Sequence, residues 1–319
     1  MPETIKIMDL AVSPGGKLRT FLTVPGTEVQ IPITIINGVS DGPTLLVTSG
    51  IHGGEYPGIA AAMELGKEIE PEELSGRLII MHPVNVQGFW ARQAFIVPED
   101  GKNLNREFPG NPEGTLAERT AYLLSHHFFP LADFYVDMHS GDIHEELHPY
   151  VYYPGIPTEE IAEKSKEVAQ VLDLEFMVRS TATTGAYNCA ALNGIPSILI
   201  ERGGAGLCRR EEIDAYKQDI HNILRKLRMF CHPVRPRRHR PRDVENIIYL
   251  QTDITGCWMH HIHSGDYVEK GQELGRMVNV FGETITTYYA EQDGVILYLC
   301  PSLAAPKDTV LVAYGQLSL

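Results

Sequence analysis

Residues 44–55 read TLLVTSGIHGGE, a short apolar run that passes into a glycine-rich turn. The run 44–48 has the length and composition of a strand buried on both faces, which is typical of a sheet covered by helices. Ligands bind in open α/β sheets beyond the carboxyl ends of the strands. His52 and Glu55, which follow this strand at once, are therefore expected at a ligand-binding edge.

Apolar runs alternate with helical patterns through the first 230 residues. Strands are predicted at 44–48, 78–81, 133–138 and 195–200, and helices at 59–69, 115–124, 158–172 and 211–229. Alternating strands and helices predict an α/β fold, with a mixed, mostly parallel sheet that carries helices on both faces.

The amino-acid composition limits the kinds of partner that the protein is expected to bind. The 319 residues include 41 acidic against 27 basic side chains, for a formal net charge of −14, which argues against a nucleic acid partner. No apolar stretch is long enough for a membrane helix, so no membrane partner is expected. The five cysteines are widely spaced and the N-terminus lacks the pattern of a signal peptide, so we expect a cytoplasmic protein. The sequence leaves open whether the protein forms a homo-oligomer.

The composition changes near residue 233. Residues 233–241 read PVRPRRHRP, so the sequence predicts a domain at 1–232, a linker at 233–242 and a small all-β, barrel-like domain at 243–319. Residues 264–275 and 290–296 resemble half of a lipoyl or biotinyl carrier barrel. A carrier needs a modifiable lysine between those segments, and residues 277–284, MVNVFGET, contain none. We therefore interpret this domain as a cap over a site in the first domain, or as a support for assembly.

Two further strand ends carry polar side chains. His139 follows the strand at 133–138, and Glu201 follows the strand at 195–200. Two histidines and a glutamate are the ligands of many catalytic zinc sites, and Glu201 is placed to take a proton from an attacking water. Each of these residues also has an ordinary structural interpretation. His52 and Glu55 could lie in a surface turn, and His139 could be a buried core histidine. Glu201 could be a carboxylate at the rim of the sheet that pairs with Arg202.

A fourth segment, residues 102–110, reads KNLNREFPG. A guanidinium beside a carboxamide, as in Arg106 and Asn105, is a good receptor for a substrate carboxylate. Arg92, earlier in the same region, is a second cation that could meet an oxyanion, or else an ordinary surface charge.

In this order, the motifs resemble those of the succinylglutamate desuccinylase and aspartoacylase family, which has the fold of zinc carboxypeptidases. The resemblance covers about residues 30–230. It implies one Zn²⁺ per chain on His52, Glu55 and His139, with Glu201 as the general base. It also implies that Asn105 and Arg106 bind a carboxylate, and Arg92 is matched to the family less closely.

One position departs from the carboxypeptidase pattern. In carboxypeptidases an aspartate usually orients the first zinc histidine, and Asn103 occupies that position here. The same position resembles the branch of the family that deacetylates acetylated diamino acids. An asparagine can still accept a hydrogen bond from the histidine, but it brings no charge. The resemblance implies a zinc-dependent hydrolase that cleaves the amide bond of a small, carboxylate-bearing N-acyl amino acid. The alternatives are a zinc carboxypeptidase acting on short peptides, and a binding protein that kept the fold and lost the chemistry.

Overall fold

The computed structural model describes residues 3–230 and 237–318. Part of the predicted linker, residues 233–236, and Cys231 lie outside the described residues. The described chain contains α-helices and strands connected by turns and short helical segments. The α-helices are α1 (Tyr56–Glu68), α2 (Val86–Trp90), α3 (Leu116–Leu123), α4 (Glu159–Ala169), α5 (Ala186–Leu192) and α6 (Arg210–Lys226). The strands are β1 (Ile5–Ile7), β2 (Leu10–Val12), β3 (Gly16–Thr23), β4 (Gln30–Asn37), β5 (Ser40–Ser49), β6 (Ser75–Met81), β7 (Phe134–His139), β8 (Glu146–Leu147), β9 (Tyr150–Pro154), β10 (Phe176–Ser180), β11 (Ser197–Glu201), β12 (Arg242–Gln251), β13 (Gly256–His260), β14 (Tyr267–Val268), β15 (Glu273–Val278), β16 (Thr284–Tyr289), β17 (Gly294–Leu299), β18 (Ala304–Ala305) and β19 (Val310–Leu317).

One large sheet organises the molecule. Its 13 strands run in the order β14-β17-β19-β12-β10-β9-β11-β7-β5-β6-β4-β3, and β8 pairs with β17 beside this path. Parallel pairs lie in the middle, where β5 pairs with β6 and β7, β7 with β11, and β10 with β9 and β12.

The sheet is mixed, as predicted, but "mostly parallel" holds only for its centre. Antiparallel pairs extend both ends, with β3 and β4 on one side and β12, β19, β17 and β14 on the other. Short hairpin connections such as the one between β3 and β4 allow only antiparallel pairing, whereas parallel pairs need a crossover.

Helices cover both faces of the central strands, as predicted, because alternate strand residues point to opposite sides. On one face, Leu46 and Tyr135 pack in a cluster with α3 and α5. On the other, Val47 and Val136 pack in a cluster with α1, α4 and α6. The central strands are thus buried on both sides, and polar chemistry is confined to their ends.

Residues 242–318 form strands β12–β19 and, as described, no helix. Some of these strands extend the large sheet, since β12 pairs in parallel with β10. The others form a four-stranded sheet, β16-β15-β13-β18. A third core cluster that includes Trp258 and Leu274 packs within this segment. The domain limits 1–232, 233–242 and 243–319 stay a prediction. Among the described residues, no helix has the length and apolar character needed to cross a membrane.

Candidate active site

Three neighbouring parallel strands end at one edge of the sheet and bring the predicted side chains together. Glu201 at the end of β11 is the cross-strand partner of His139 at the end of β7. Ser49 at the end of β5 pairs with Met138, so the turn that follows β5 returns His52 to the same edge. Register and strand direction therefore place residues far apart in sequence around one point.

His52, Glu55 and His139 form a compact group whose ligand atoms all lie within 4.8 Å of one another. Glu55 Oε1 lies 2.6 Å from His52 Nδ1, and Glu55 Oε2 lies 2.9 Å from His139 Nδ1. Burial would raise the pKa of Glu55, but the charges of His139 and His52 outweigh it and hold the pKa at about 2. Two imidazole nitrogens and an ionised carboxylate converge here, and this group could hold a metal ion.

The outer ring nitrogen of each histidine, Nε2, contacts a different kind of partner. His52 Nε2 lies 3.0 Å from Asn103 Oδ1, whereas His139 Nε2 lies 3.0 Å from Asp137 Oδ2. The hydroxyl of Thr48 donates to Asp137 Oδ1 at 2.7 Å. Sequence reasoning missed Asp137, although a residue two before His139 on a strand must share its face. One histidine is thus oriented by an amide and the other by a carboxylate.

Glu201 enters the same cavity without a hydrogen-bond partner on Oε2, which is buried. Burial is the main cause that raises its pKa well above the usual range; His139 opposes the shift, and nearby carboxylates add to it. The alternative of a rim carboxylate paired with Arg202 is excluded. Arg202 instead pairs with Asp219, donating from Nε to Asp219 Oδ2 at 2.6 Å.

Helix α6 fixes the two strand ends that carry His139 and Glu201. The buried hydroxyl of Tyr216 donates to the carbonyl of His139 and lies 3.1 Å from that of Ile200. Asp219, one turn further along α6, holds Arg202 next to Glu201. The helix thereby links β7 to β11 behind the site.

These residues open into a cavity of about 550 Å³, a size typical of small-molecule sites. Its walls combine polar groups with tyrosines, and Tyr249 and Tyr298 come from the segment after residue 242. Tyr152 and Tyr249 place their hydroxyls 3.4 Å apart across that boundary. The C-terminal strands therefore contribute to the cavity wall, and their interpretation as a cap stays a prediction.

The predicted carboxylate receptor lies in the cavity wall. Asn105 is 5% exposed, and its Oδ1 accepts a hydrogen bond from the backbone N–H of Ala186 at 2.9 Å, which leaves Nδ2 as a donor. Arg106 also lines the cavity and donates from Nη1 to the carbonyl of Asn105. Arg92 is not brought to this wall. It is exposed beyond α2, while Phe95 of the same loop lines the cavity, so an oxyanion role for Arg92 stays a prediction.

Two acidic residues that the sequence analysis did not single out also line the cavity, Asp142 and Glu145. Their loop is held by backbone hydrogen bonds from Ala205 to Glu145 at 2.7 Å and from Gly206 to Asp142 at 3.1 Å. Burial, followed by the charges of Asp142 and Glu55, raises the pKa of Glu145 to about 8. No local sequence signal distinguishes these acids from surface loop residues.

Comparisons with known proteins agree with this geometry. The family model described as the succinylglutamate desuccinylase/aspartoacylase catalytic domain matches residues 41–227. The chain is similar to an N-alpha-acetyl-L-2,4-diaminobutyric acid deacetylase of Halomonas elongata, at 28% identity over 84% of this chain and 80% of the relative.

Solved structures share the fold over nearly the whole chain. The product-bound ectoine utilization protein EutE (DoeB) from Ruegeria pomeroyi superposes with a TM-score of 0.89 at 24% identity, covering 97% of this chain and 98% of the other. A succinylglutamate desuccinylase/aspartoacylase from Rhodobacter sphaeroides gives a TM-score of 0.87 at 24% identity, covering 95% and 96%.

Proposed function

The chain belongs to the succinylglutamate desuccinylase/aspartoacylase family, whose members act as deacylases on amide bonds, and we propose that it is a zinc-dependent hydrolase of a small N-acyl amino acid. The observation that carries the proposal is the meeting of His52, Glu55, His139 and Glu201 in one cavity of small-molecule size. The proposed substrate bears a free carboxylate, because the same cavity presents Asn105 and Arg106.

The donor set fits zinc. Catalytic zinc sites commonly use three protein ligands drawn from histidine and a carboxylate, and the outer nitrogens here are both held, by Asn103 and Asp137. We assign one Zn²⁺ per chain to His52, Glu55 and His139. When bound, the ion polarises the acyl carbonyl and makes water a stronger nucleophile at neutral pH.

Glu201 is the proposed general base and acid. Its carboxylate accepts a proton from the attacking water and returns it to the leaving nitrogen, so that the C–N bond breaks to give a carboxylate and a free amine. The charge of His139 opposes the rise in the pKa of Glu201 and favours the ionised form that accepts the proton. Burial of Glu201 raises its pKa and favours the return of that proton.

Asn105 and Arg106 hold the substrate carboxylate and thereby set the scissile amide against Glu201. The free Nδ2 of Asn105 and the planar guanidinium supply donors that match the two oxygens of a carboxylate. In the described part of the chain, Arg106 pairs with no carboxylate of the protein, so its charge is available to a ligand. A short peptide with a free C-terminus could use the same receptor, which keeps a carboxypeptidase as the second candidate.

A hydrolysis screen of the zinc-loaded protein tests the proposal. It compares N-acetyl and N-succinyl amino acids with dipeptides, beginning with the N-α-acetyl-L-2,4-diaminobutyric acid that names the Halomonas elongata relative. We expect turnover of N-acyl amino acids, and a loss of about 10²-fold or more in kcat for Glu201→Gln with zinc retained. Hydrolysis of dipeptides alone would make the enzyme a carboxypeptidase, and near-normal turnover by Glu201→Gln would remove this residue from the chemistry.

A further inference from the structure

The strand β16 leaves one edge of the small C-terminal sheet without a partner. It ends the four-stranded sheet β16-β15-β13-β18 and pairs only with β15. In the described part of the chain, no loop or turn makes a backbone hydrogen bond to residues 284–289. The side of β16 that faces away from β15 therefore presents unpaired N–H and C=O groups, which are a template for pairing with another strand.

The other terminal strands of the described sheets are protected by the usual means. The strands β14 and β18 have two residues each, and β1 and β2 have three. The long edge strand β3 carries Lys17 and Arg19. Short strands and basic side chains both discourage pairing between molecules. In contrast, β16 has six residues and reads TITTYY, without a charge or a proline.

Apolar side chains are exposed beside this open edge. Ile285 and Tyr289 lie on one face of β16 and are 50% and 53% exposed, and Val280 and Phe281 in the preceding turn are 84% and 85% exposed. The turn is already ordered, because Asn279 Oδ1 accepts a hydrogen bond from the backbone N–H of Phe281 at 2.9 Å. Grouped apolar exposure of this kind marks an interaction surface, and an ordered surface loses little entropy on binding.

The charge of the protein indicates that a second copy fits this edge. Each chain has a formal net charge of −14, so two copies repel each other over most of their surfaces, whereas β16 is uncharged. A two-fold axis pairs the strand antiparallel with itself and sets only threonine, isoleucine and tyrosine side chains opposite one another. Such cross-strand pairs stabilise a sheet. The opposite edge, β18, is too short to continue the pairing, so the assembly closes at two copies.

We propose that the chain forms a homodimer in which β16 pairs antiparallel with β16 of a second copy, so that two four-stranded sheets become one continuous sheet. The apolar turn at 279–283 adds contact area at each end of the paired strands. The inference does not depend on the proposed function, because none of the residues that carry it lines the cavity.

The mass of the native protein in solution tests the proposal first. Sedimentation velocity and light scattering over a series of concentrations should give a mass that rises toward twice the 35.5 kDa of one chain. Hydrogen exchange then locates the contact. The amide N–H groups of residues 284–289 that face away from β15 should exchange more slowly as the dimer forms, because they become hydrogen-bonded.

Lysine substitutions test the edge directly. The double variant Ile285→Lys/Tyr289→Lys places basic side chains on the open edge, where they repel those of a second copy, and its mass should return to that of one chain. Both positions are exposed, so the fold should persist. The matched control is Phe21→Lys, because Phe21 is 62% exposed on the edge strand β3, and this variant should keep the mass of the native protein.

Thermal unfolding shows whether the variants fold. A native protein that keeps the mass of one chain at every concentration overturns the inference. So does a dimer in which residues 284–289 exchange as fast as in the monomer, or a folded double variant that remains a dimer, since either result would place the contact elsewhere. If the double variant does not fold, hydrogen exchange in the native protein still decides between these outcomes.

Discussion

Replacement of Asp137 by asparagine should weaken metal binding while leaving the sheet folded. Asp137 is fully buried and lies between His139 Nε2, at 3.0 Å, and the hydroxyl of Thr48, at 2.7 Å. An amide of the same size can still accept from His139 through its oxygen. Its NH₂ would then face Thr48, whose hydroxyl can turn to accept because its contact with Tyr135 at 2.6 Å works in either direction. The main loss is therefore the charge that makes the imidazole a better ligand.

The expected loss follows from the role of such a partner. Removal of a group that orients a metal ligand typically costs about 10- to 100-fold in metal affinity, equivalent to about 1.4–2.8 kcal/mol. A substitution with the opposite effect, the gain of a charge behind a metal ligand, can be made at the other histidine of the same site. Asn103→Asp adds a charge behind His52 and preserves the oxygen that accepts from the backbone N–H of Asn105 at 2.9 Å, so it should tighten binding.

Competition with a fluorescent zinc chelator at constant pH measures both variants against the native protein. Thermal unfolding of the metal-free forms provides the control for folding. If Asp137→Asn binds zinc as tightly as the native protein, the carboxylate does not tune His139. A lower melting temperature with unchanged affinity would limit Asp137 to a structural role in the strand.

Three further changes test separate parts of the site. Arg106→Lys should reduce the preference for an N-acyl amino acid over its carboxamide in kcat/KM, because lysine cannot make two parallel hydrogen bonds to a carboxylate; an unchanged ratio would mean that Arg106 does not bind it. Asp219→Asn leaves the buried guanidinium of Arg202 without an ionised partner and should lower the free energy of unfolding by about 3–5 kcal/mol in a urea titration, and a negligible change would contradict this. Burial, followed by neighbouring carboxylates, raises the pKa of Glu145 to about 8 from 4.5. In the metal-free protein, its contribution to stability should therefore be complete below pH about 4.5 and lost as the pH rises through about 8. Glu145→Gln should flatten that decline, and an identical pH profile of native and variant would refute the assignment.

Much of the fold could be predicted because its patterns are local. The predicted strand at 133–138 is β7, Phe134–His139, and the predicted helix at 211–229 is α6, Arg210–Lys226. The capping box expected at Thr115 begins α3. Each of these features depends on residues within a few positions of one another, where periodicity and capping are visible in the sequence.

The pairing of some strands in the large sheet was less predictable. The short strands β9 and β10 lie between helices, and their pairing to β11 and β12 depends on partners far along the chain. Pairing of this kind is fixed by the packing of the whole domain, and a single strand carries little information about its neighbour. A mixed sheet with parallel strands was predicted, whereas the antiparallel pair of β9 with β11 and the antiparallel extensions required the tertiary structure.

The sequence by itself determined the family, the order of the candidate ligands and the strand ends on which they lie. Strand, turn and polar residue are adjacent in the chain at His52, His139 and Glu201, so the local pattern predicts their placement. The tertiary structure alone decided that Tyr298 completes the cavity and that Asn188 presents an acceptor without a partner. These features arise where distant segments meet, and burial, charge and hydrogen-bond satisfaction become defined only when those segments are packed together.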